Sequence, residues 1–251
     1  AFAVTVAGTP VSLTLSPASV AYAGQFSVTA TVTGNAVDGA PAGTVTLYGS
    51  RNGATFTLGT VTLTASGNNG TGSGTYTAVG PNLNVGTYQI YGYFTPSNSA
   101  YQAGSSPNVT LTVTPEPTSL GLGCTFNFFA VNCTATVTAS TTGTPVPAGN
   151  AVDFTLNGGA ATVETTNAAG QATYNPGGIF FGSYTVLATF PQQSNYLTSS
   201  DSKTILCAVF GCFGGSARRI PVTLNSFSGL GLNANTSASG NGFRRAPFTL
   251  F

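Results

Sequence analysis

Apolar residues alternate with threonine, serine or glutamine at period two along almost the whole chain. Every second residue is apolar in Phe26, Val28, Ala30 and Val32, and again in Val45 and Leu47. The same holds for Tyr88, Ile90, Gly92 and Phe94, and for Val109, Leu111 and Val113. Successive side chains of a strand point to opposite faces, so each run buries one face and wets the other. Threonine and valine suit a pleated, half-buried surface. Turn residues separate the runs, as at Gly34-Asn35, Asn52-Gly53, Asn68-Asn69-Gly70 and Pro81-Asn82. No helical period extends over a useful length. The spacing predicts an all-β fold of sandwich or barrel type.

Charge is nearly absent. Eleven of 251 residues are formally charged, six basic and five acidic, and there is no histidine. A Ser-His-Asp or Cys-His centre is therefore excluded. The carboxylates are Asp38, Glu116, Asp153, Glu164 and Asp201, far apart in sequence, so no metal site and no cofactor are expected. Adjacent strands could bring Asp153 and Glu164 together as an acid–base pair. Two solvated or edge-protecting charges are the expected reading, and the chain is not expected to be an enzyme. Lys203 is the sole lysine, and nothing in the spacing points to the buried carboxylate that an isopeptide bond to an Asn would need. Basic residues are too few, and lack the aromatic platform, for nucleic acid binding. No apolar run reaches the length of a membrane span. With so few titratable groups, stability is expected to vary little over a wide pH range.

The strand pattern repeats. Ala42-Gly43-Thr44-Val45-Thr46-Leu47 is echoed from Ala148 to Phe154. Gly86-Thr87-Tyr88-Gln89-Ile90, with Phe94, Asn98 and Tyr101 after it, is echoed by Gly182-Ser183-Tyr184-Thr185-Val186 with Phe190, Asn195 and Tyr196. The offset of 95 to 106 residues is one sandwich domain. Between the copies, Pro115-Glu116-Pro117-Thr118 predicts an extended, stiff connector.

The order Pro41 to Leu47, then Val85-Gly86-Thr87-Tyr88, then Tyr101 to Ser106 resembles the bacterial immunoglobulin-like (Big-type) repeats of secreted and surface proteins. Residues 10 to 114 fit it well. Residues 118 to 210 fit less well, with an added cysteine pair and the stretch Phe126-Asn127-Phe128-Phe129. The resemblance implies Greek-key sandwiches used as spacer, stalk or adhesive modules, with no catalytic residues to carry over. It also makes Tyr88 and Tyr184 tyrosine-corner residues whose hydroxyls satisfy nearby backbone. The expected organisation is an N-terminal strand over 1–9, one immunoglobulin-like domain over 10–114 and a Pro-rich linker over 115–118. A second domain over 119–210 and a β-rich C-terminal extension over 211–251 follow.

The sequence begins at Ala1 and contains no methionine, which predicts removal of a secretory signal peptide. Cys124, Cys133, Cys207 and Cys212 are then expected as two disulfides in an oxidising compartment. Three connectivities are possible. Local pairing, Cys124–Cys133 and Cys207–Cys212, needs no long-range register and is preferred. A Cys133–Cys207 bridge would constrain a longer loop and stabilise more. Asn69, Asn108, Asn132 and Asn235 are N-glycosylation sequons, in a chain whose Asn, Ser and Thr content also makes them by chance.

The ends bear on assembly. Phe2, Val4 and Val6 alternate in a strand ahead of the first domain. Arg218-Arg219-Ile220-Pro221-Val222-Thr223-Leu224 and Arg244-Arg245-Ala246-Pro247-Phe248-Thr249-Leu250 are related segments near the other end, followed by Phe251. A proline in each suits an edge strand. These segments serve either as extra edge strands with arginine gatekeepers or as strands that pair with the next subunit. Residues 1–201 carry a net charge of −4 and residues 202–251 a net +5, a distribution suited to head-to-tail encounter. The expected function is an extracellular structural subunit of a surface fibre or pilus-like filament, a homopolymer joined by β-strand addition. The alternative is a monomeric adhesin or carbohydrate-binding module, with surface glycans as partners and an exposed cluster of Tyr91, Tyr93 and Tyr101.

Overall fold

A computed structural model of the protein describes residues 8–35, 37–66, 70–78, 83–127, 130–177, 181–208 and 211–214. It is all-β among those residues. The first sandwich holds β1 (Val11–Ser16), β2 (Ser19–Ala21), β3 (Phe26–Thr33), β4 (Gly43–Arg51) and β5 (Ala54–Thr62). It continues with β6 (Thr64–Ser66), β7 (Thr71–Ala78), β8 (Gly86–Pro96), β9 (Gly104–Ser105) and β10 (Val109–Thr114). One sheet has the order β1-β3-β7-β6; the other runs β2-β10-β8-β4-β5, with β9 on β8. All pairings are antiparallel except β2 with β10, where the chain crosses from one sheet to the other.

The second sandwich holds β11 (Thr118–Asn127), β12 (Ala130–Ala139), β13 (Ala151–Leu156) and β14 (Thr162–Thr165). Its remaining strands are β15 (Gln171–Tyr174), β16 (Gly182–Phe190), β17 (Ser199–Ala208) and β18 (Gly211–Gly214). Its sheets run β11-β12-β15 and β14-β13-β16-β17-β18. The repeat in the sequence is thus a repeat in space: β4 pairs β8 as β13 pairs β16. Both sandwiches are immunoglobulin-like.

The period-two pattern sets the faces. Val28, Val32, Val45, Leu47, Ile90 and Leu111 are wholly buried in the first core; Val137, Val152, Phe154, Val186, Phe190 and Ile205 fill the second. Each such side chain contributes about 1.5–3 kcal/mol of burial. A one-residue slip would turn every one of them outward, so register is strongly specified. Asn52 and Gly53, at φ 51° and 81°, form the two-residue turn between β4 and β5. Both positions of that turn need positive φ, which is what Asn-Gly supplies.

The connector is short and held at its centre. Glu116 bridges Tyr196, and Thr118, counted above with the linker, is the first residue of β11. Residues 211–214, counted above with the C-terminal extension, form the last strand of the second sandwich. The terminal segments with Phe2, Val4, Val6, Arg218, Arg219, Arg244, Arg245, Phe248, Leu250 and Phe251 lie outside the described residues, as do Asn69 and Asn235.

Candidate functional site: an aromatic sheet face, bare edges and an arginine cleft

Antiparallel pairing aligns outward residues across neighbouring strands. Tyr48 on β4 is directly opposite Tyr91 on β8, and their rings stack with centroids 5.2 Å apart and planes 21° apart. Tyr93, two residues further along β8, is 42% exposed and lies opposite Thr46. Gln89 and Thr110 exchange side-chain hydrogen bonds on the same face. The outward positions of β4, β8 and β10 are Thr, Ser, Gln and Tyr throughout, so this face carries aromatic rings among neutral hydrogen-bonding groups and no charge.

Tyr101 does not belong to this cluster. It is 7% exposed, and its hydroxyl donates to the Gly39 carbonyl in the turn between β3 and β4. It follows β8 in a loop that folds back over the core end. Tyr48 takes its place in the aromatic face. The sequence signal for Tyr48 was its outward phase, two residues after Thr46 in the run Val45 to Gly49; only the β4–β8 register sets it against Tyr91.

Among the described residues, the sheet edges are almost bare of charge. Among the edge strands β1, β2, β5, β6, β11, β14, β15 and β18, only β14 carries a charged residue, Glu164. β11 is covered in another way: Asp201 on β17 accepts a hydrogen bond from the Leu122 backbone N–H at 2.9 Å. That bond, ahead of a second from Ser202 and the neighbouring Lys203, holds the Asp201 carboxyl below the usual carboxylate range against the opposing effect of burial. β5 has no charge, and its side-chain cover is confined to Leu58 and Gly59, under Tyr76. It is nine residues long, without charge or proline, and is interrupted by a bulge opposite Leu47/Tyr48. The Tyr76 hydroxyl donates to the Leu58 carbonyl at the bulge, which divides β5 into the runs Ala54–Thr57 and Gly59–Thr62.

Beside the start of β5 is a cleft of about 500 Å³ lined by Arg51, Asn52, Ala54, Phe56, Leu83, Asn84 and Tyr88. The Arg51 guanidinium lies 5.3 Å from the Tyr88 ring centroid, and its Nη1 donates to the Tyr88 hydroxyl at 3.1 Å. The Tyr88 hydroxyl in turn donates to the Asn84 carbonyl at 2.7 Å, the tyrosine-corner contact implied by the resemblance. The equivalent contact in the second sandwich, Tyr184 to the Phe181 carbonyl, is long at 3.5 Å.

Other candidates fall elsewhere. Asp153 is opposite Val163, and Glu164 is opposite Val152, so the two carboxylates point to opposite faces of the β13–β14 pair and do not converge. Lys203 forms an ion pair with Asp201 at 3.6 Å, both side chains about a third exposed. The disulfides are Cys124–Cys133 and Cys207–Cys212, each joining directly opposed residues of one hairpin. Asn108 and Asn132 are both exposed. No group of three or more His, Cys, Asp or Glu side chains among the described residues is placed to hold a metal. Glu116, one of the five scattered carboxylates, is 1% exposed at the junction of the sandwiches; its Oε1 accepts from the Thr141 N–H at 2.7 Å, and its Oε2 has no partner.

The sequence matches no protein-family model and no curated protein. Among solved structures, the Yersinia pseudotuberculosis adhesin InvE aligns at 16% identity and a TM-score of 0.37, over 77% of this chain and 58% of that one. A bacterial ice-binding adhesin aligns at 15% and 0.31, over 81% and 66%. The major pilin subunit of Bacillus cereus aligns at 10% and 0.25, over 83% and 67%. The chain spans less than two thirds of the first two.

Proposed function

We propose that the chain is a structural subunit of an extracellular surface fibre whose subunits join by β-strand addition. The observation that supports this is the near absence of charge on the sheet edges among the described residues, Glu164 excepted. Monomeric β-proteins protect such edges with lysine, inward charges or proline, because unpaired N–H and C=O groups are templates for another strand. A strand added head to tail makes a contact that need not close, and so propagates. Two disulfides fit an oxidising, extracellular setting. The run Gly59–Thr62 of β5 is the acceptor edge to test first. Lysines replacing the exposed Thr60 and Thr62 should abolish fibres seen by negative-stain microscopy while leaving the melting temperature within a few degrees. Dispersed monomers of the unaltered chain, or fibres that persist in the double-lysine variant, would count against the proposal.

A second reading has its own observation. The stacked Tyr48–Tyr91 pair with Tyr93 beside it, among neutral hydroxyl and amide groups, suits the C–H faces and hydroxyls of an uncharged glycan. Such a face belongs equally to an adhesive subunit or to a monomeric adhesin. Replacing Tyr93 by alanine should remove retention on neutral polysaccharide in affinity electrophoresis; unchanged retention would sink this reading.

A further inference from the structure

We propose that the cleft around Arg51 binds a carboxylated sugar, with the guanidinium taking the carboxylate. The inference is independent of fibre assembly and uses a site distinct from the tyrosine face. Arg51 is the first point. Its Nη1 is spent on the Tyr88 hydroxyl and the Asn84 carbonyl, while Nε and Nη2 have no acceptor among the described residues. The ion pair among the described residues is Lys203 with Asp201, so no carboxylate neutralises Arg51 there. A half-buried guanidinium with Nη1 engaged and two adjacent donors without an acceptor matches a carboxylate in bidentate fashion.

The second point is that the arginine is held in place by the fold. Gly86, at φ +152°, has no Cβ; one built there would sit 2.6 Å from Arg51 Cζ and 2.7 Å from Nη2. Glycine at this position both adopts the backbone angle and lets the guanidinium lie flat over it. The Tyr88 ring supports the cation, and Phe56 meets Tyr88 edge-on with centroids 6.0 Å apart. The orientation of the two unpaired donors is therefore set before any ligand arrives.

The rest of the lining selects the ligand class. Phe56, Leu83 and Ala54 offer apolar surface, and Asn52 and Asn84 offer amides. Asn84 is itself fixed, because its Oδ1 accepts from Asn195 Nδ2 at 3.0 Å, which leaves its amide donors for a ligand. One cation suits a monoanion better than a phosphate dianion. A pyranose acid combines a carboxylate, an apolar C–H face and a rim of hydroxyls on one ring, and a cleft of about 500 Å³ holds one or two such rings. A peptide carboxylate would use the guanidinium but has no need of the two amides.

The test is amide chemical-shift titration of the full chain with glucuronate, glucose and N-acetylphenylalanine. Glucuronate should give saturable shifts at Arg51, Asn52 and Asn84, with glucose weaker by about tenfold or more, the worth of one charge-assisted hydrogen-bonded pair. Arg51→Gln should lose the same factor. Because Arg51 also braces the Tyr88 corner, the unaltered protein supplies a second readout: glucuronate affinity should fall as salt is raised, and glucose affinity should not. Equal binding of the two sugars, no saturation, or no salt dependence would overturn the assignment. Tighter binding of N-acetylphenylalanine than of glucuronate would also overturn it, in favour of a peptide carboxylate.

Discussion

At the scale of single residues, two tyrosines in equivalent places do different amounts of work. Tyr88 donates a 2.7 Å bond to the Asn84 carbonyl and receives one from Arg51; Tyr184 reaches the Phe181 carbonyl only at 3.5 Å. Tyr88→Phe should cost about 1–1.5 kcal/mol in chemical denaturation, and Tyr184→Phe a few tenths at most. Both tyrosines were legible in the sequence as echoes of one motif, whereas the difference depends on where the preceding loop places its carbonyl. Asp201 sets the acid limit. Its folded pKa is depressed, chiefly by the Leu122 N–H, so its stabilising contribution is present above the ordinary carboxylate pKa and is lost as pH falls through the depressed folded value. Melting temperature should stay flat from neutrality down to about pH 4 and then fall. Asp201→Asn should lessen that acid loss; a variant with an unchanged acid profile would refute the assignment.

At the scale of elements, the hairpins explain the cysteines. Cys124 is opposite Cys133 because β11 and β12 pair in full register from Thr118↔Ala139 to Asn127↔Ala130. Sequence allowed three connectivities and favoured the local one that forms, but it could not state the register that sets Cys133 opposite Cys124. Separations of 9 and 5 residues close small loops, so each bridge contributes about 2–3 kcal/mol in the chain-entropy account. Replacing either pair by alanine should lower stability by that amount and leave the sandwich folded, as judged by the retained far-UV spectrum. The β4–β5 hairpin adds a packing constraint: a Cβ on Gly49 would sit 2.5 Å from the Phe56 ring that lies over it. Gly49→Ala should therefore displace Phe56, destabilise by about 1–3 kcal/mol and alter the cleft that Phe56 lines.

At the scale of the whole molecule, the junction between the sandwiches is built from a few groups. The Val85 N–H donates to Asn195 Oδ1 at 3.1 Å, and Tyr22 of the first sandwich meets Tyr196 of the second edge-on at 5.5 Å. Burial first, then Tyr22 and Glu116, raise the Tyr196 phenol above its ordinary value. Its stabilising contribution is therefore complete below the unfolded pKa and is lost as pH rises toward the raised folded value. Alkaline destabilisation should begin above about pH 10, and Tyr196→Phe should reduce it. Asn195→Ala should free the two sandwiches to move, read as a larger radius of gyration in solution scattering or faster cleavage near the connector.

The period-two pattern, the turn residues and the repeat were enough for an all-β fold in two repeated domains, because alternate burial is a property of local sequence, and the family resemblance made them sandwiches. The charge deficit was equally visible, and it excluded histidine chemistry before any coordinate was known. Long-range register decided the remainder. It buried Tyr101 and raised Tyr48 into the aromatic face, and it sent Asp153 and Glu164 to opposite sides of one strand pair. It also set Arg51 over Gly86 and Tyr88, residues more than thirty positions away that share no local signal with it. Which strands lie at the edges is likewise a fact of tertiary pairing, since an edge is defined by the partner a strand lacks.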